Sequence, residues 1–223
     1  MLLETIDLCP PTAATPAATL IILHGLGADG TDFLPMADEL KLDAVGPVRY
    51  IFPRAPVRPV TINNGYPMRA WYDILGTEGS RREDEAGLRK AVAAVHALID
   101  REIARGVPSR RIVLAGFSQG CAITLLAGVR CAHRLAGLAG LSGYLPLAAL
   151  TAAEAHPANR DVPIFMAHGR NDGVVVPARG QAAHDQLHSL GWTVEWHDYP
   201  MEHAVCIEEV TALRSWLLRV LTA

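Results

Sequence analysis

Charge of one sign, paired cysteines and long apolar runs are all scarce in this chain of 223 residues. Its 20 Lys and Arg against 23 Asp and Glu leave a formal charge of −3, with no long block of either sign. That excludes the basic stripe of a nucleic-acid surface. The four cysteines, Cys9, Cys121, Cys131 and Cys206, are scattered and show no C-x-x-C spacing. Buried thiols in a reducing cytoplasm are therefore expected, rather than a disulfide frame or a zinc site. Residues 1–7 carry two acids and no basic cluster, and no apolar stretch of secretory or membrane-spanning length is present. No stable membrane insertion is expected. With 50% hydrophobic residues, no internal repeat and no low-complexity tail, residues 1–223 are expected to form one domain with one well-buried core.

What is present is an alternation of short apolar runs and helical periods. An edge strand is expected over residues 2–8 and a Pro/Ala/Thr turn region after it. Residues 19–24, Thr-Leu-Ile-Ile-Leu-His, form a nearly continuous apolar run, as strands buried on both faces of a parallel sheet do. A short helix is expected over 33–41 and a strand over 48–52. Residues 53–80 show no helical period and are punctuated by Pro53, Pro56, Pro59 and Pro67, which predicts a long functional loop. Leu88, Val92, Val95, Ile99 and Ile103 recur at helical steps, predicting a helix over 82–105. Strands over 111–115, 138–143, 163–168 and 193–199 then alternate with helices over 121–127, 178–190 and the C-terminus. Such alternation argues for a mainly parallel central sheet with helices on both faces.

One stretch carries chemistry. Gly116-Phe117-Ser118-Gln119-Gly120 sits between a predicted strand and a predicted helix, the context of a nucleophile elbow. There the serine takes a strained conformation and the glycines let strand and helix approach. A bare Gly/Ser turn would give the same five letters, so the rest of the machinery must be found elsewhere. In an open α/β sheet, loops after strands converge at the carboxyl ends. Ser118, Asp172 and His203 each follow a predicted strand, in the order the elbow requires. His203 is the candidate base that takes the serine proton, and Asp172 the carboxylate that orients the imidazole. A base of this kind must be neutral, so activity should fall in acid. His24, His168 and His197 also lie at or near strand ends, but the first two precede glycine turns, where a ring can pin a loop. Asp161 precedes its strand, Asp185 lies on a helix and Asp198 within a strand, which leaves Asp172 best placed. The backbone N–H groups of Leu26 and Gln119 are the candidate oxyanion hole. The glycines of residues 25–30 could also form a phosphate turn, but the G-x-G-x-x-G spacing and a Walker lysine are missing.

These residues resemble the small carboxylesterases and acyl-protein thioesterases of the α/β-hydrolase fold, the phospholipase/carboxylesterase family. The matching stretches are His24-Gly25-Leu26-Gly27-Ala28, Pro53-Arg54-Ala55-Pro56, Met68-Arg69-Ala70-Trp71-Tyr72-Asp73, the elbow, Leu141-Ser142-Gly143-Tyr144-Leu145-Pro146, His168-Gly169-Arg170-Asn171-Asp172 and the loop around His203. They span nearly the whole chain. The resemblance implies a serine esterase or thioesterase that needs no cofactor and no metal, with its triad on Ser118, Asp172 and His203 and its oxyanion hole on Leu26 and Gln119. It also implies that Trp71, Ile74 and Leu75 border the acyl-binding groove, and family habit implies a homodimer. One departure is Cys121, where the family usually has a second glycine; its side chain could narrow the site or pack behind it.

No insertion is long enough for a large cap domain, so an open site is expected. It would suit small acyl esters or thioesters, an acylated protein or a lysophospholipid. A dienelactone-hydrolase-like activity is the nearest enzymatic alternative, disfavoured by serine rather than cysteine at position 118. A non-catalytic binding module of the same fold is the alternative from another class.

Overall fold

The computed structural model describes residues 3–9, 15–76 and 82–222. Residue 2 of the expected edge strand, residues 10–14 of the expected turn region and 77–80 of the expected long loop lie outside the described residues. The chain begins with β1 (Thr5–Leu8), β2 (Ala18–Leu23), α1 (Leu34–Leu40) and β3 (Val48–Pro53). A hairpin of β4 (Val57–Val60) and β5 (Tyr66–Arg69) follows, then α2 (Glu85–Ala104), β6 (Ile112–Phe117) and α3 (Gln119–Gly128). The last part holds β7 (Gly137–Leu141), α4 (Thr151–Glu154), β8 (Ile164–Gly169), α5 (Pro177–Ser189), β9 (Val194–Tyr199) and α6 (Ile207–Thr222).

Seven strands make one sheet in the order β1-β3-β2-β6-β7-β8-β9. β1 pairs antiparallel with β3, and every other pairing in that sheet is parallel. Parallel strands must be linked by crossovers, and the helices that make them cover both faces. β2 shows the consequence in its alternation: Ile21 and Leu23 join one buried cluster with α2, α3 and α5, while Leu20 and Ile22 join the other with α1 and α6. All six residues of β2 are buried for that reason. Between β7 and β8 the described chain makes only short helical segments, α4 being four residues long.

Two expectations need correction. Residues 57–69 are not irregular loop but a two-stranded hairpin in which Pro59 faces Pro67. Proline lacks the ladder donor, so it is tolerated in a two-stranded ribbon rather than in the middle of a larger sheet, and the prolines masked the strand signal. The cysteines also divide: Cys121 and Cys131 are buried, but Cys9 is exposed and Cys206 half-buried.

Candidate active site

The parallel register brings the carboxyl ends of β2, β6, β7 and β8 to one edge, with Leu23 opposite Gly116 and Phe117 opposite Leu141. Ser118 follows β6 at φ 56°, ψ −117°, a conformation that non-glycine residues avoid and that only surrounding constraints maintain. Those constraints are visible. The Ser118 N–H donates to the Leu141 carbonyl at 2.9 Å, and the Ser118 carbonyl accepts from Ala122 N–H at 3.2 Å. A methyl group at Gly116 would come within 2.4 Å of the Gly120 backbone, and one at Gly120 within 2.1 Å of the Leu23 carbonyl oxygen. Both flanking glycines are therefore required for strand and helix to close on the corner.

His203, in the loop between β9 and α6, meets the serine. Ser118 Oγ lies 2.8 Å from His203 Nε2, and His203 Nδ1 lies 2.7 Å from Asp172 Oδ2. The carboxylate on Nδ1 fixes the proton there, which leaves Nε2 free to accept from the serine hydroxyl. Asp172 is itself held: its Oδ1 accepts the N–H groups of Val174 and Val175, both at 2.8 Å, in the loop after β8. Asp172 is 3% exposed and the serine 9%, while the His203 ring between them is partly open to solvent. His168 supports this loop, with Nε2 2.7 Å from the Val175 carbonyl and 3.4 Å from Asp172 Oδ2.

The Leu26 and Gln119 N–H groups flank the same corner. Gln119 opens α3, where backbone donors have no partner one turn back, and Leu26 lies in the loop after β2. Among the described residues neither N–H has an acceptor. The Leu26 loop is pinned on both sides. Gly27, at φ 75°, donates its N–H to the Arg69 carbonyl at 2.9 Å. The Asp29 carboxylate pairs with Arg69 at 2.7 Å and with Arg54 at 3.0 Å. Partial burial alone would raise the Asp29 carboxyl, but the Thr31 N–H and the two guanidinium groups outweigh it and hold it below the usual carboxylate range.

Two side chains hold the loops around the site, the Gln119 amide in a way that the sequence did not reveal and the His24 ring in the loop-pinning role expected of it. The Gln119 amide clamps the segment after β5, accepting from Trp71 N–H at 2.8 Å and donating to the Tyr72 carbonyl at 2.9 Å. His24 donates from Nδ1 to the Gly25 carbonyl at 2.7 Å and accepts the Ala55 N–H on Nε2 at 3.0 Å. Burial pushes its pKa down, in keeping with a ring that must stay neutral to accept. Its placement before a glycine turn was the one available signal.

The three expected groove residues do not join the serine's visible cleft. Trp71 is 2% exposed; its ring N–H donates to the His24 carbonyl at 2.8 Å, and it borders a separate recess beside α2. Ile74 makes a bridge to Glu83, and it and Leu75 lead into the undescribed residues 77–81. The cleft that opens on Ser118 has a volume of about 580 Å³ and lies between the Leu26 loop with α1 on one wall and the His203 loop with the start of α6 on the other. Phe33, Met36, Phe117, Val205 and Val210 make it largely apolar. Cys121 does not reach it: the side chain is fully buried against the end of β7 and the turn after it, where a methyl group at Gly143 would lie 2.4 Å from its Cβ. Burial also raises its thiol pKa, so it holds no thiolate.

Known proteins share this arrangement of elements. A family model described as Phospholipase/Carboxylesterase matches residues 10–221. The chain belongs to the phospholipase/carboxylesterase family. Acyl-protein thioesterase 1 of Yarrowia lipolytica is 37% identical over 212 residues, covering 93% of each chain, and that of Neurospora crassa is 41% identical over 217 residues, covering 93% of this chain and 88% of its own. Among solved structures, Arabidopsis thaliana SOBER1 superposes with a TM-score of 0.86 at 34% identity over 92% of this chain and 99% of its own. Zea mays acyl-protein thioesterase 2 gives 0.85 at 30% identity over 98% and 99%. The fold is that of the α/β-hydrolases, and the chain is a hydrolase of the carboxylic-ester class. Among the described residues no cluster of three or more His, Cys, Asp or Glu side chains forms a metal site, and no helix is long and apolar enough to cross a membrane.

Proposed function

We propose that the protein hydrolyses acyl thioesters and esters of short to medium chain through an acyl-enzyme on Ser118, with His203 as base and Asp172 as its orienting acid. The observation that carries this reading is the unbroken relay from Ser118 Oγ to His203 at 2.8 Å and on to Asp172 at 2.7 Å, on a strained elbow. As Oγ attacks the acyl carbonyl, its proton passes to His203 Nε2, and Asp172 stabilises the imidazolium. The carbonyl oxygen becomes an oxyanion between the Leu26 and Gln119 N–H groups, and the positive end of α3 adds to their field. Collapse expels the alcohol or thiol with the proton from Nε2. Water then enters, gives its proton to the same nitrogen and releases the acid.

Acylated proteins are the substrates that the relatives' names suggest, and small acyl thioesters and lysophospholipids fit the same steps. Ile74 and Leu75 are proposed to face the acyl chain; Trp71 would act through its clamp on the Gln119 side chain rather than by contact. The reading is of one domain working without a cofactor in the cytoplasm, and of a homodimer. A fluorophosphonate probe tests the chemistry. Labelling of the parent protein and none of Ser118→Ala supports the reading, and equal labelling of both overturns it.

A further inference from the structure

The cleft beside Ser118 is asymmetric in a way that the reaction does not by itself require. One wall is the His203 loop, with Val205, then Ile207 and Val210 at the start of α6. Apart from His203, its charged lining consists of Asp32 and Glu39, with no lysine or arginine. Asp32 Oδ2 accepts the Asp29 N–H, and among the described residues neither carboxylate is in an ion pair. Both are exposed at the rim, as is Ile207 at 58%. The body of the cleft is thus apolar and its mouth anionic.

We propose that this cleft receives the leaving-group side of the substrate, and that the leaving group it fits is a peptide thiol flanked by a basic side chain. The proposal rests on the acyl-transfer reading above. During collapse of the tetrahedral intermediate the carbon–sulfur bond breaks, the acyl group stays on Ser118 Oγ, and the proton taken from that hydroxyl passes from His203 Nε2 to the departing sulfur. The sulfur must therefore lie within hydrogen-bond reach of Nε2. Whatever the sulfur carries meets the wall that His203 begins, which is the wall of this cleft. Ile74 and Leu75 arrive from the segment clamped by the Gln119 amide and do not line it, which leaves the acyl chain its own side.

A lysine or arginine complements this surface in both halves, because its apolar stem can lie along Phe33 and Met36 while its charged head reaches Asp32 and Glu39. The open rim lets the rest of a peptide run out into solvent. A volume near 580 Å³ is that of a small-molecule site, larger than one ammonium group needs.

The test compares kcat/KM for S-octanoyl-cysteine tetrapeptides that differ only in the residue after cysteine, which is lysine, norleucine or glutamate, with S-octanoyl-thiocholine as a small cationic leaving group. Exposed carboxylates act weakly, so lysine is expected to exceed glutamate by about three- to tenfold at low salt, with norleucine between and the gap closing as salt screens it. Glu39→Lys should shrink or invert that order, read as a ratio so that a general loss of activity cancels. Ile207→Trp should slow substrates with enlarged leaving groups at fixed acyl length more than those with lengthened acyl chains on a fixed small thiol. Equal rates on the three peptides, an order unmoved by Glu39→Lys, an Ile207→Trp effect that tracks acyl length, or a preference confined to the thiocholine ester would each overturn the proposal. Failure of the underlying acyl-transfer reading has a different signature, namely undiminished hydrolysis of these peptides by Ser118→Ala.

Discussion

Glu209 provides a prediction whose size follows from its surroundings. It sits in the first turn of α6, fully buried, and among the described residues both carboxylate oxygens are without a hydrogen-bond partner. Burial pushes its carboxyl up to about 8 from 4.5, outweighing the nearby Cys206 N–H, which favours the charged form without reaching hydrogen-bond geometry. Below pH 4.5 the folded and unfolded chains both hold this proton and the group adds no pH dependence. Between 4.5 and about 8 the unfolded chain releases the proton while the folded one keeps it, so stability is lost as pH rises. Above 8 both are ionised and the loss is complete. A carboxyl moved from 4.5 to about 8 corresponds to about 5 kcal/mol, accumulating at about 1.4 kcal/mol per pH unit. Glu209→Gln keeps the shape of the neutral acid and does not titrate. Urea unfolding of both proteins in steps from pH 5 to 9 should show the variant gaining on the parent at about that slope until pH 8 and holding level above it. His24 pulls the other way: its depressed pKa costs stability as pH falls below 6.5, but both proteins carry it, so it cancels in the difference. Stability curves that stay parallel from pH 5 to 8 would instead show that Glu209 is an ordinary solvated carboxylate.

Other substitutions probe the site more directly. Asp172→Asn should keep the Oδ1 contacts to Val174 and Val175 yet deny the imidazolium its counter-charge, lowering kcat by about 10³- to 10⁴-fold. A loss under tenfold, with circular dichroism unchanged, would remove Asp172 from the relay. Cys121→Gly should destabilise by about 2–3 kcal/mol through a buried void and a helical glycine. It should leave the ranking of ester chain lengths unchanged, because the thiol packs against Gly140 and Gly143 rather than the cleft; a shifted ranking by kcat/KM would place it in the site after all.

The sheet was legible because its signals are local. The apolar run of β2 and the steps of α2 each report burial of their own segment, and alternation of strand with helix then leaves few arrangements. Ser118, Asp172 and His203 could be picked out because each follows a strand in an order that the elbow requires, although 85 residues separate the serine from the histidine it meets. What stayed hidden depends on contacts between distant segments. The Gln119 side chain occupies a variable position of the motif, and its role appears only when residues 71 and 72 arrive beside it. The apolar cleft is assembled from a loop, one turn of α1 and the start of α6, none of which signals a pocket alone. Prolines concealed the β4–β5 hairpin by reading as breaks, and nothing in the sequence sets Glu209 apart from Glu208 beside it.

Ser118 is proposed to carry the acyl group between the two half-reactions. Steady-state hydrolysis of p-nitrophenyl butyrate by Ser118→Ala tests it most directly, with intact-mass detection of the acylated parent protein alongside. The variant's kcat is expected at least about 10³-fold below the parent, since members of such a relay act as a unit, with an acyl adduct on the parent that the variant never forms. Hydrolysis by the variant at the parental rate would contradict it.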